Sequence, residues 1–100
     1  MAPARVVGET AFQVKETDAA DGTVEQVTRA FSDALSHGDL IDRDAAAAAK
    51  DRLDAEAGGV WHCVLGTDFG AYVTHARGCY VQLAGVGGRA AGKMAIAYKT

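Results

Sequence analysis

The sequence has little of what marks several common classes of protein. Only two cysteines, Cys63 and Cys79, occur among its 100 residues, too few for a scaffold held together by disulfides. Aromatic residues make up 7% of the chain, and much of its 49% apolar content is alanine, whose methyl group buries little area. The core of such a small domain is therefore thin, and association with other chains is a natural supplement to it.

The chain also lacks long apolar runs and any excess of basic charge. No stretch approaches the ~18 apolar residues that span a bilayer, and the first residues lack the apolar segment of a secretory signal. The net charge is -3, whereas a nucleic-acid binder usually carries a basic face. We therefore expect one globular domain in a reducing, cytoplasmic compartment, without nucleic-acid or membrane partners.

Two helices are predicted in the first half of the chain. Thr23 and Gln26 form a capping-box pattern, and the apolar spacing that follows predicts a helix ending at Gly38. A second, alanine-rich helix begins near residue 39 or 42 and ends at the glycine pair 58–59, because alanine is the best helix former and glycine a common stop.

Strands are predicted on both sides of these helices. Residues 1–11 lack periodicity and are interpreted as a flexible arm, whereas residues 12–100 form the domain. A glycine-rich, flexible hairpin loop is expected at 85–92. The fold class is therefore α+β: one strand, two helices, then four antiparallel strands. Alternation and β-branched content put the five strands at 12–16, 60–65, 69–75, 79–84 and 93–98.

One candidate for chemistry is a metal or thiol site built from His62, Cys63, His75 and Cys79, which are residue types that zinc accepts. Adjacent strand residues point to opposite faces, so His62 and Cys63 cannot readily bind one ion. A Cys–His nucleophile pair would have no orienting carboxylate at a suggestive position. We predict no catalytic residue, no metal and no cofactor.

The segment 85–90 fits the G-x-G-x-x-A form of the dinucleotide-binding pattern. That pattern binds a dinucleotide only where it opens a helix within a βαβ unit of ~30 residues. The ten residues that follow Ala90 predict a single strand instead. The match is interpreted as accidental.

The strand at 69–75 is a candidate binding element. Gly70 and Ala71 weaken packing within the chain but let another backbone approach closely. From the residues alone, a half-exposed sheet strand and a strand that binds a partner are equally good interpretations.

The run from Trp61 to His75 resembles the signature of the small, eight-kilodalton dynein light chains, which read W-H-C-I-V-G-R-N-F-G-S-Y-V-T-H there. The helix pair, the order of elements and the terminal strand agree with that family over roughly residues 12–100. The resemblance implies a non-catalytic homodimer, or a heterodimer with a paralogous light chain, in which one strand crosses to the partner's sheet.

The same resemblance implies partners and site residues. Family members bind extended peptides, often containing Thr-Gln-Thr, as an added strand, and dynein intermediate chains are the expected partners. A target amide would meet the start of the partner's second helix. The dimer interface would include His62, Tyr72 and Thr74, and burial of His62 there implies that acid dissociates the dimer. The implied groove consists of Phe69, Gly70, Ala71, Tyr72, Val73, Thr74 and His75, with Asp42 and Arg43.

Departures from the family pattern suggest specialisation. Gln82 and Ala84 stand where the family usually has tyrosines, which removes apolar contact area. Residues 85–90 are an insertion, and residues 1–6 extend the N-terminus. We therefore expect a subunit of an axonemal (ciliary or flagellar) dynein arm. The alternatives are a general dimerisation hub for disordered partners and, from another class, a redox or metal enzyme using Cys63 and Cys79.

Overall fold

The computed structural model describes residues 5–7, 10–36, 41–67 and 77–99. Two helices lie between strands, and a short 3-10 helix, Gly88–Ala90, joins the last two strands. Neither helix of this described part is long and apolar enough to cross a membrane. The elements are β1 (Arg5–Val7), β2 (Thr10–Thr17), α1 (Asp21–Ser36), α2 (Asp42–Glu56), β3 (Trp61–Gly66), β4 (Tyr80–Gly87) and β5 (Met94–Lys99).

The described strands form one antiparallel sheet in the order β1-β2-β4-β5-β3. Besides the pair of β1 with β2, the pairings are β2 with β4, β4 with β5, and β5 with β3. The predicted strand at 69–75 and the predicted helix end at Gly38 lie outside the described residues. The α+β class and the antiparallel sheet agree with the sequence prediction.

The core lies between the helices and one face of the sheet. Alternate strand residues point to this face, among them Val81 and Leu83 of β4 and Ala95 and Ala97 of β5. Helix α1 contributes about two buried residues per turn, such as Val27 and Phe31, whereas the alanine-rich α2 contributes about one. The largest fully buried side chains are Trp61, Phe12, Phe31, Leu53 and Leu83.

The N-terminal part of the fold differs from the sequence expectation. Within the segment 1–11, interpreted as a flexible arm, β1 pairs with β2, Val6 lying opposite Ala11. The helix α1 begins at Asp21, two residues before Thr23, and the N–H of Val24 donates to the carbonyl of Ala20 at 3.0 Å. Thr23 is therefore inside the first turn, and the prediction of a capping box that starts there was wrong.

The glycine-rich segment is also more ordered than predicted. β4 continues through Gly87, and the 3-10 helix follows at once, with Ala90 fully buried. A Cβ atom on Gly85 would lie 1.7 Å from the carbonyl oxygen of Ala90, so no other residue fits. The expected flexible hairpin loop is instead a strand extension and a packed turn, because its glycines permit close contact between backbones.

Candidate functional site

One edge of the sheet is suited to the addition of another strand. Strand β3 occupies this edge, and its register with β5 continues from Trp61 opposite Lys99 to Gly66 opposite Met94 without a shift. The strand contains no lysine, arginine, aspartate or glutamate, and the Val64 side chain is exposed. Within the described residues its outer edge has no strand partner, which leaves a regular row of backbone hydrogen-bonding groups.

An open cavity of about 350 Å³ runs beside this edge, between β3 and α2. The floor is apolar because α2 contributes alanines, and small side chains leave space that larger ones would fill. Two cations, on Arg43 and Lys50, lie along its helix side. A strand added to β3 would place alternate side chains in this cavity. The lining residues are Arg43, Ala46, Ala47, Lys50, Cys63, Val64 and Leu65.

The thiol in the cavity is unsuited to nucleophilic chemistry. Burial, together with the negative charge of Asp54, raises the pKa of Cys63 to about 12. The thiol therefore stays protonated at neutral pH, whereas a reactive cysteine needs the thiolate. Cys63 and Cys79 are both free, and the described residues contain no group of His, Cys, Asp and Glu that could hold a metal.

The face of the sheet that points away from the helices carries a regular grid of side chains. Its first row crosses β3, β5 and β4 through His62, Tyr98 and Tyr80, as the register places them side by side. The rings of His62 and Tyr98 are stacked, with centroids 5.1 Å apart. The next row contains Val64, Ile96 and Gln82, and Ile96 is only 2% exposed. We call these six residues the outer grid.

The two positions interpreted as lost tyrosines lie on this face. Gln82 is half-buried, and its side-chain oxygen accepts a hydrogen bond from the hydroxyl of Tyr80 at 3.3 Å. Ala84 pairs with Met94 in the row beyond it. Burial, and to a smaller extent the charge of Glu16, raises the pKa of Tyr80, so its hydroxyl stays protonated and able to donate.

The start of β3 is fixed by a carboxylate on α2. Asp54 accepts a hydrogen bond from the backbone N–H of Trp61 at 2.7 Å and one from Lys50 at 2.5 Å. The bond from Lys50, followed by that from Trp61, lowers the pKa of Asp54. The glycines at 58 and 59 have φ of 75° and 79°, which lets the chain turn sharply from α2 into this strand.

A second carboxylate fixes the start of β4. Asp18 accepts hydrogen bonds from the N–H groups of Gly78 and Tyr80, both at 3.0 Å, and the hydroxyl of Thr17 donates to the Tyr80 carbonyl at 2.7 Å. The Asp18–Tyr80 contact joins residues 62 apart, a relation that no local pattern signals.

The predicted site residues are only partly covered by the described structure. Asp42 and Arg43 open α2, Arg43 lines the cavity, and His62 belongs to the outer grid. Asp42 is engaged within the chain, since Lys93 lies 2.6 Å from its carboxylate. The remaining predicted groove and interface residues lie outside the described residues: Phe69, Gly70, Ala71, Tyr72, Val73, Thr74 and His75.

Comparison with known proteins gives a consistent result. The family model described as dynein light chain type 1 matches residues 11–87. The chain is 40% identical over 68 residues to dynein light chain 1, cytoplasmic, of Saccharomyces cerevisiae, which covers 68% of this chain and 73% of that protein. It is 34% identical over 77 residues to the probable dynein light chain 2, cytoplasmic, of Caenorhabditis elegans, covering 77% and 84%.

A solved structure supports the same fold. The dynein light chain-like domain of the Fasciola hepatica calcium binding protein FhCaBP2 superposes with a TM-score of 0.70 at 21% identity. The superposition covers 99% of this chain and 98% of that chain. The likeness confirms the predicted α+β arrangement of two helices and an antiparallel sheet.

Proposed function

This chain belongs to the dynein light chain family, and we propose that it is a non-catalytic subunit that dimerises and holds dynein intermediate chains by β-strand addition. The observation that carries the proposal is the edge of β3, which has no strand partner among the described residues and lies beside an apolar cavity. Backbone groups at such an edge bind an extended segment, and the cavity selects its side chains.

Dimerisation is the first part of the proposal. The outer grid contains apolar and aromatic groups on the sheet face that points away from the helices. Val64 is exposed there, and His62, Tyr80 and Tyr98 are half-buried. A second copy, or a paralogous light chain, would bury this face and pair with β3. We propose that segment 69–74 of the partner supplies the added strand, with His62, Tyr72 and Thr74 at the interface.

Binding of an extended peptide is the second part. The proposed groove lies between segment 69–75 and the start of α2 of the facing subunit, where Asp42 and Arg43 are placed. Arg43 is 83% exposed and lines the cavity, so it is available to a target. The amide of a Thr-Gln-Thr-type target would meet this end of the groove.

The location of the complex follows from two kinds of support. The matched relatives are named cytoplasmic dynein light chains, which supports the cytoplasm and the cytoskeleton. The narrower assignment to an axonemal arm rests on the residues that diverge from the family pattern, Gln82 and Ala84. Localisation of a tagged chain in ciliated cells tests it, and exclusion from the axoneme would remove that assignment.

Affinity capture from the native source tests the function. The immobilised full-length chain should retain dynein intermediate and heavy chains as its main partners. A Cys63→Ser, Cys79→Ser double variant is the matched control, and it should retain the same partners. A diverse set of clients without dynein chains would favour the general hub, whereas loss of capture in the double variant would favour thiol chemistry.

A further inference from the structure

The direction of the backbone groups of β3 follows from its neighbour β5. The N–H of Lys99 donates to the carbonyl of Cys79 at 3.3 Å, so the polar groups of Lys99 point toward the β4 side of β5. Successive residues of an antiparallel strand turn these groups to opposite sides. Tyr98 therefore points toward β3, where the register places it opposite His62. It follows that His62 and every second residue after it bond to β5.

The other residues of β3 turn their N–H groups to the outer edge. They are Trp61, Cys63 and Leu65, and no described strand pairs with that edge. The first of them is engaged by a side chain: the N–H of Trp61 donates to Oδ1 of Asp54 at 2.7 Å. A bond to α2 instead of β5 agrees with this alternation. An added strand would therefore find its first outward N–H at Cys63.

A second bond holds Asp54 in this position. The ammonium of Lys50, one turn earlier on α2, donates to the other carboxylate oxygen, Oδ2, at 2.5 Å. That bond, followed by the one from Trp61, lowers the pKa of Asp54, so the carboxylate stays charged at neutral pH. Lys50 also lines the cavity beside β3. One carboxylate therefore ties the helix wall of the cavity to its strand wall.

We propose that Asp54 is a positioning residue for the strand that β3 accepts. It occupies the first outward N–H of the edge, so the pairing begins at Cys63 instead of Trp61. This sets one register, because a strand that slipped toward Trp61 would have to break a charge-assisted hydrogen bond. The inference rests on the proposed function, which supplies the added strand, and it deepens that function by naming what sets the register.

Hydrogen exchange at single-residue resolution tests the register. It is followed by mass spectrometry on the wild type, at protein concentrations below and above the midpoint of dimerisation. The N–H of Trp61 should be protected equally in both states, because Asp54 holds it without a partner. The N–H groups of Cys63 and Leu65 should gain protection on dimerisation. New protection of Trp61 in the dimer would show that the added strand pairs there, which overturns the proposal without any variant.

Two substitutions test the role of the carboxylate itself. In the Asp54→Ala monomer, the N–H of Trp61 should lose its protection, because its acceptor is gone. Asp54→Asn keeps an acceptor oxygen and should restore most of that protection. Asp54→Ala should also raise the dissociation constant of the dimer about tenfold, since an edge that is not fixed in advance must be ordered on binding. Sedimentation across a range of protein concentrations measures this rise.

Asp33→Ala is the matched control for general stability. Both carboxylates are 28% exposed and both bond to a cation of α2, but Asp33 bonds to Arg52 and joins α1 to α2. Its loss should leave the dissociation constant of the dimer unchanged. Urea unfolding of each variant verifies that the association measurements concern a folded protein.

The outcomes separate failure of this inference from failure of the proposed function. If Asp54→Ala and Asp33→Ala weaken the dimer equally, or if Trp61 stays protected in the Asp54→Ala monomer, Asp54 has no positioning role and strand addition still stands. If the wild type forms no dimer, or if Cys63 and Leu65 gain no protection in it, β3 accepts no strand. The proposed function then fails together with this inference.

Discussion

The two edges of the sheet are built in opposite ways. At one edge, the short strand β1 covers only residues 10–12 of β2, and the register of β2 with β4 shifts between Ala11 and Phe12 and again between Val14 and Glu16. Lys15 and Glu16 are exposed there. At the other edge, β3 is regular, apolar and free of such shifts.

This difference favours the β3 edge as the place of the proposed association. Bulges, charged side chains and a short covering strand are devices by which proteins prevent strands from adding to an edge. The β2 edge has all three, whereas the described part of the β3 edge has none. A regular edge next to a cavity of about 350 Å³ is therefore the surface on which a partner strand would dock.

The largest effect is expected from Gly85→Val, which disrupts the packed turn after β4. The added Cβ would lie 1.7 Å from a backbone oxygen of Ala90, a contact that a rotamer change cannot relieve. We expect a loss of about 3 kcal/mol or more in the free energy of unfolding. Urea denaturation followed by circular dichroism measures it.

Gly22→Ala is the matched control for that substitution. Gly22 lies in α1, and a Cβ there would meet no atom within 4 Å. Alanine should increase stability by roughly 0.5–1 kcal/mol through helix propensity. Equal stability of Gly85→Val and the wild type would contradict the packed turn and restore the flexible loop predicted from the sequence.

Val64→Glu should weaken dimerisation while the monomer stays folded. The side chain lies on the outer grid and is 37% exposed in the single chain, so a carboxylate is tolerated there until a partner covers it. An uncompensated charge buried in an interface costs ~3 kcal/mol, which corresponds to a rise of roughly 100-fold in the dissociation constant. Sedimentation across a range of protein concentrations measures the shift.

Val86→Glu is the comparison away from the β3 edge. Val86 is 50% exposed and lies on the central strand β4, between Gly85 and Gly87, which pair with β2. The same charge should leave the dissociation constant unchanged there. Equal weakening by both substitutions would show that the open edge has no special role in association.

The sequence predicted the elements of this fold better than the contacts between them. Alanine content and a glycine stop were enough for α2, and β-branched and aromatic content was enough for β3. The glycines of 85–90 were misinterpreted because flexible loops and close backbone packing use the same residue. The Asp42–Lys93 pair joins residues 51 apart, and neither residue carries a local signal of the other. Site chemistry of this kind appears only when the sheet brings distant segments together.

A smaller effect is expected from Asp54→Asn, which removes the carboxylate that fixes the start of β3. The pKa of Asp54 is lowered in the folded protein, so its contribution is fully present above its ordinary pKa and disappears as pH falls through the lowered value. The wild type should be the more stable protein at neutral pH, and the difference should vanish in strong acid. Urea midpoints across this pH range measure it.

Asp51→Asn, an exposed change on the same helix, is the control for this pH dependence. Its difference from the wild type should stay small and flat over the whole range. A difference for Asp54→Asn that persists in strong acid would mean that lost packing, and not the charge-assisted bonds to Lys50 and Trp61, explains the variant.

The smallest effect is expected from removal of residues 1–7, which removes β1 from the edge of β2. Strand β1 contributes only three residues to the sheet, so its loss should cost roughly 1 kcal/mol of stability. The register shifts and the exposed Lys15 and Glu16 remain, and they should still prevent strands from adding to β2. Light scattering of the truncated chain should therefore match that of the untruncated chain. If the truncated chain stays soluble and aggregates only after a further Lys15→Val change, the charge protects the edge of β2. If the truncated chain itself aggregates, β1 protects it.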